Sequence, residues 1–126
     1  MKPPDRDISD YRKGLRYSEE ACQLEPRHGL YLNTLGVAHY RAGNWKDAAL
    51  ALDRSRELRQ GGDAFDFFFL AMAHWRLRQK DDARKWYKQA VEWVEKNSQA
   101  LAKDPQHTDE LRRFRVEAEE LLGTKN

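Results

Sequence analysis

The chain has 126 residues, 40 % hydrophobic and 35 % charged. That is enough apolar material for one packed domain or a short run of repeats, and it excludes wholesale disorder. A balance of 23 Lys and Arg against 21 Asp and Glu leaves +2, too little for a polyanion binder driven by bulk charge. The single cysteine, Cys22, excludes an internal disulfide and suits a reducing compartment. No run of about 18 apolar residues is present to cross a membrane, and residues 1–7 lack the apolar stretch of a signal peptide. The expected location is therefore cytoplasmic.

The chain opens with Pro3, Pro4 and charged residues, an expected flexible segment over residues 1–9. From Asp10 to Glu95 the only proline is Pro26, and Ala, Leu, Arg, Lys and Glu dominate, which are the strong helix formers. The 3.6-residue apolar period predicts helices over 10–24, 30–41, 45–58, 64–77, 81–96 and 108–122. Gly43 marks the turn between the second and third, and Asn44 is the expected N-cap of the third. Gly61-Gly62 breaks the chain before the fourth. Residues 97–107 read as a connector whose Ala100-Leu101-Ala102 prolongs the fifth helix. Thr108 is the expected N-cap of the sixth, followed by Asp109 and Glu110 at its positive end. On that helix Leu111, Phe114, Ala118, Leu121 and Leu122 share one stripe, and Gly123 ends it.

Two stretches repeat at an offset of 35 residues: Leu35-Gly36-Val37-Ala38-His39-Tyr40-Arg41 and Leu70-Ala71-Met72-Ala73-His74-Trp75-Arg76. The same offset carries Ala48 onto Ala83 and Ser55 onto Ala90. A two-helix unit of about 34 residues resembles the tetratricopeptide repeat (TPR) family. In the unit 29–63, Leu32, Leu35, Gly36, His39, Ala48 and Leu52 stand at the family's packing positions. In the unit 64–96, Phe67, Leu70, Ala71, His74, Ala83, Tyr87 and Ala90 do so. The family's terminal proline is missing from both, Gln60 and Glu95 standing there. Residues 10–28 match only a second helix, with Ala21 and Pro26 in register, so the repeats open on a lone second helix, expected either from a cut in a longer repeat array or from an unusual end. The resemblance implies an all-α fold: a short right-handed α-solenoid closed by a capping helix and tail over 108–126. It extends to TPR segments of large bacterial proteins, some of them from planctomycetes and joined to kinase or β-propeller domains.

No G-x-S-x-G, H-E-x-x-H, C-x-x-C or Walker sequence occurs, so no catalytic, cofactor-binding or metal residue is assigned. His39 and His74 share one repeat position, about 10 Å apart in stacked units, too far to share a metal ion. Each is expected to pack between helices with one nitrogen bonded. Cys22 lies near Glu19 and Glu25, which would raise its thiol pKa and mark it as filler rather than nucleophile. The basic run Arg76, Arg78, Lys80, Arg84, Lys85, Lys88 is broken by Asp81 and Asp82, and Arg112-Arg113-Phe114-Arg115 is flanked by Asp109, Glu110 and Glu117. Such mixed faces are solvated surface more often than nucleic-acid sites.

The aromatic cluster carries the functional expectation. Phe65, Phe68, Met72 and Trp75 fall at i, i+3, i+7 and i+10, opposite the packed stripe of Phe67, Leu70 and His74. The resemblance places them on the concave face where partners bind, with Leu30, Asn33, Val37, Tyr40 and Arg41 from the first unit and Arg76 at the rim. The residues with which some TPR domains clamp a carboxylate are replaced here by Asn33, Val37, Phe68 and Met72. The expected function is a non-enzymatic module that binds a partner peptide or helix. Alternatives are a self-associating dimer, a regulatory segment of a larger enzyme such as a bacterial kinase, and, last, a nucleic-acid binder. Either the groove is open, or the sixth helix or the connector covers the aromatic face.

Overall fold

The computed structural model describes residues 8–123. The expected flexible segment 1–9 lies largely outside them, as does the tail 124–126. Seven helices follow in order: α1 (Ile8–Leu24), α2 (Gly29–Arg41), α3 (Trp45–Leu58), α4 (Ala64–Arg76), α5 (Lys80–Lys96), α6 (Ser98–Ala102) and α7 (Pro105–Leu122). The described residues contain no strand. The pairs α2–α3 and α4–α5 pack internally, and α1 packs on α2. The architecture is an all-α solenoid of TPR-type helix pairs.

Small residues set the helix crossings. A Cβ on Gly36 would lie 2.5 Å from Leu52 Cγ and 3.3 Å from the Ala48 carbonyl oxygen, so α2 meets α3 closely enough to exclude a side chain. Ala48, Ala71 and Ala83 have no exposed surface. Between the helices of each pair the chain turns through a left-handed residue, Gly43 at φ 85° and, 35 positions on, Arg78 at φ 65°. Only glycine adopts that conformation without strain.

The helix starts depart from expectation at two places. Asn44 occupies the N-cap of α3 but makes no capping bond there; its amide lies 3.2 Å from His39 Nδ1 instead. The last helix begins at Pro105 rather than 108. Asp104 caps it, accepting from the backbone N–H of His107 at 3.2 Å, and Pro105 suits the first turn because its missing N–H is not needed there. Thr108, inside the helix, donates to the Leu101 carbonyl at 2.6 Å and so ties α6 to α7. Ala100-Leu101-Ala102 belongs to that separate helix: Asn97 ends α5, its side-chain amide donating to the Trp93 carbonyl at 2.8 Å.

Candidate partner-binding groove

Helix α4 is apolar on most of its circumference, and every residue from Asp66 to Ala73 is buried. Such a helix must be enclosed on all sides, here by α2, α3, α5 and α7. The decisive neighbour is α7, which packs mainly on α4 rather than on α5. Its Phe114 ring meets Phe69 edge-on at 4.9 Å and Phe65 at 6.4 Å. Leu111, Ala118 and Leu122 are buried along the same stripe.

This arrangement divides the expected partner-binding residues. Phe68 and Met72 have no exposed surface and Tyr40 is 4 % exposed, so all three belong to the core and present nothing to a partner. Phe68 packs against Tyr87 of α5, and Tyr40 is enclosed by Trp45 and Phe69. Trp75 stays half-buried, under Lys80 and Arg84 of α5 at 5.1 and 5.7 Å. Arg76 is exposed, 5.2 Å over the Trp45 ring, with its Nε donating to the Tyr40 hydroxyl at 3.4 Å. Trp75 and Arg76 line neither cavity described below. Leu30, Asn33, Val37 and Phe65 do come together.

They line a cavity of ≈ 590 Å³ between α2 and α7, with Phe69 of α4 between them and Arg59, Asp63, His107 and Glu110 adding polar groups. Leu30 is 57 % exposed. The backbones of α2 and α7 do not meet; side chains span the gap. The Arg41 guanidinium grips the Glu117 carboxylate with two parallel hydrogen bonds, one at 2.9 Å, and lies 5.3 Å over the Phe69 ring. Burial works against the Arg41 charge, but the bonds to Glu117 and its negative charge outweigh it and hold the pKa above the ordinary value. A second cavity of ≈ 920 Å³ adjoins, sharing Thr34 and Val37 and bounded by α1 and Arg113 and Glu117 of α7.

Beneath the first cavity lies a polar cluster that sequence reading missed. Asp66 is fully buried. One of its oxygens accepts from Asn33 Nδ2 at 2.8 Å and Ser55 Oγ at 2.9 Å, and the other accepts from Arg59 at 2.9 Å. Arg59 also donates to Asp63 at 2.7 Å, and Asp63 caps α4 by accepting from Phe65 N–H at 3.0 Å. Burial raises the Asp63 pKa, with Arg59 opposing. The one local signal was an aspartate within the apolar run Phe65-Asp66-Phe67-Phe68-Phe69; a charge there demands partners.

The two histidines make equivalent turn contacts. His74 Nδ1 lies 2.6 Å from Gln79 Oε1, as His39 lies against Asn44, which binds the end of each first helix to the start of the second. Burial alone pushes the Cys22 thiol up. The basic residues are dispersed: Arg84 pairs with Asp81, Arg112 and Arg113 with Asp109, and Arg115 with Glu119.

The helix-pair repeat, its glycine crossing and its left-handed turns are the marks of one repeat class. Residues 6–63 match the tetratricopeptide repeat family. The TPR match spans α1 to α3, and α4–α5 repeats the same pair 35 residues on. No curated protein matches the chain. No described helix is long and apolar enough to cross a membrane.

Proposed function

We propose that the chain is a non-enzymatic TPR module that captures a protein partner, as a peptide or a helix, in the groove between α2 and α7. The observation that supports it is the ≈ 590 Å³ cavity, where apolar Leu30, Val37, Phe65 and Phe114 stand beside Arg59 and Asp63. The apolar walls supply anchors, and the polar groups set register. The sequence resemblance favours a bacterial scaffold, and the single cysteine favours a reducing, cytoplasmic setting.

A second reading, self-association through α1, has its own support: Tyr17 and Leu24 of that helix are 70 % and 82 % exposed. Pull-down with Leu30→Asp and Phe65→Ala, checked for folding by circular dichroism, tests the groove. Loss of capture by both variants is expected. Full capture by both rejects the groove, and a dimer mass by light scattering that falls with Tyr17→Ser and Leu24→Ser establishes self-association instead.

A further inference from the structure

The groove between α2 and α7 carries an uneven charge. Arg59 serves two carboxylates with one nitrogen, Asp63 at 2.7 Å and Asp66 at 2.9 Å, so two carboxylates stand against one cation. Asp63 lines the cavity, whereas Asp66 is sealed beneath it. A further carboxylate, Glu110, belongs to the same lining. It is half-buried, and its side chain has no hydrogen bond or ion pair among the described residues.

The helix itself turns Glu110 toward the groove. Glu110 stands between His107 and Phe114, one turn from each, so all three share one face of α7. That face meets Phe65, whose ring lies 5.5 Å from His107 and 6.4 Å from Phe114. His107 is no counter-charge for Glu110. Its Nδ1 lies 2.5 Å from Asp104 Oδ2, a carboxylate that would take up its charge on protonation. Leu30, Val37, Phe65 and Phe114 are apolar neighbours in the same lining. A wholly apolar occupant would strip water from Glu110 and return nothing. An acidic occupant would add a like charge. A long basic side chain answers both demands, since its stem lies along apolar walls while its head meets a carboxylate.

We propose that the groove selects a partner segment that carries Lys or Arg beside a bulky apolar residue, with the cation held by Glu110 and by the excess carboxylate charge at Asp63. This selectivity refines the proposed function and holds only if a protein partner occupies the groove. The apolar residue supplies the anchor, and the basic one sets register and excludes acidic segments.

The test selects a displayed library of short random peptides on the full chain and discards those that also bind Leu30→Asp. The remainder should be enriched in Lys or Arg next to Leu, Ile, Phe or Trp. Labelled synthetic copies are then titrated by fluorescence anisotropy. Glu110→Gln should weaken them about tenfold, and Glu110→Lys further still. Replacing the basic residue of the peptide by Glu should recover binding to Glu110→Lys, a rescue that a merely structural role for Glu110 would not give. If Glu110→Lys melts lower than the parent, Glu110→Gln is read in its place. Asp109→Asn removes the same charge from a neighbouring exposed position outside the cavity and should leave binding unchanged. Peptides that need Leu30 but show no basic enrichment, or that bind Glu110→Gln as well as the parent, would overturn the inference and leave the groove standing. An equal loss with Asp109→Asn would overturn it too, because bulk charge would then be the cause. A library that yields no Leu30-dependent peptide would reject the groove itself, and the inference with it.

Discussion

Asn33 of α2 donates its side-chain amide to the buried carboxylate of Asp66 on α4 at 2.8 Å, so one wall of the groove and its floor are latched through a carboxylate with no access to water. Ser55 of α3 and Arg59 just beyond it complete the shell. The cluster joins consecutive repeat units at one end of the groove floor. Its geometry and the alignment of Leu30 with Phe65 stand or fall together.

Removing one member of this cluster strands the others. Asp66→Ala leaves Arg59, Asn33 and Ser55 facing a void, and such a break costs about 3–5 kcal/mol. Ser55→Ala removes one neutral donor and should cost only about 1–2 kcal/mol. Urea denaturation of both variants checks the ranking; an Asp66→Ala variant no less stable than Ser55→Ala would refute the assigned role.

Two glycines in helices should respond with opposite signs. Alanine gains about 1 kcal/mol over glycine from helix propensity alone. Gly14→Ala meets nothing within 4 Å and should keep that gain. Gly36→Ala drives its Cβ into Leu52, and overpacking of about 1–3 kcal/mol should leave a net loss. Thermal melts of the two variants measure the difference. Ala83→Leu, at a fully buried position, should lose about 1–3 kcal/mol by overpacking.

Arg78 turns the chain at φ 65° where the preceding pair uses Gly43. A side chain in that region costs about 1–2 kcal/mol. Part of this is returned by the extra freedom glycine has when unfolded. Arg78→Gly should therefore raise stability by about 0.5–1 kcal/mol, read as a higher melting temperature. A lower one would show that the Arg78 side chain contributes more than its backbone costs.

Two rings of α4, neither of them in the groove, separate by depth. Phe68→Ala empties a fully buried site and should cost about 3–5 kcal/mol, whereas Trp75→Ala, half-exposed beneath Lys80 and Arg84, should cost far less. Chemical denaturation of the single variants distinguishes a core ring from a surface one.

Alkaline titration probes two buried phenols. Burial raises the Tyr40 pKa, against the opposing hydrogen bond and charge of Arg76. Burial also raises that of Tyr87, helped by its hydrogen bond to Glu119 at 2.5 Å. Both hold their protons longer folded than unfolded. The stability they contribute is complete below the ordinary tyrosine value of about 10 and is lost as pH rises through the folded values. Tyr87→Phe should make denaturation midpoints fall less steeply above that pH, with tyrosinate absorbance following the shift.

Residue order alone determined where α1 to α5 run and where they cross. The apolar period of 3.6 and the small residues Gly36, Ala48, Ala71 and Ala83 are local signals that recur 35 residues apart. What covers each apolar face was not local. Periodicity showed that α4 carries more than one apolar stripe, but not that Phe68 meets Tyr87 of α5 while Phe65 and Phe69 meet Phe114 of α7, a helix some 40 residues away in sequence that folds onto α4 instead of stacking on α5. The pairing of Asp66 was equally hidden. Its partners Asn33, Ser55 and Arg59 come from two earlier helices and the turn after them, and only the packed solenoid brings their donors to a single carboxylate.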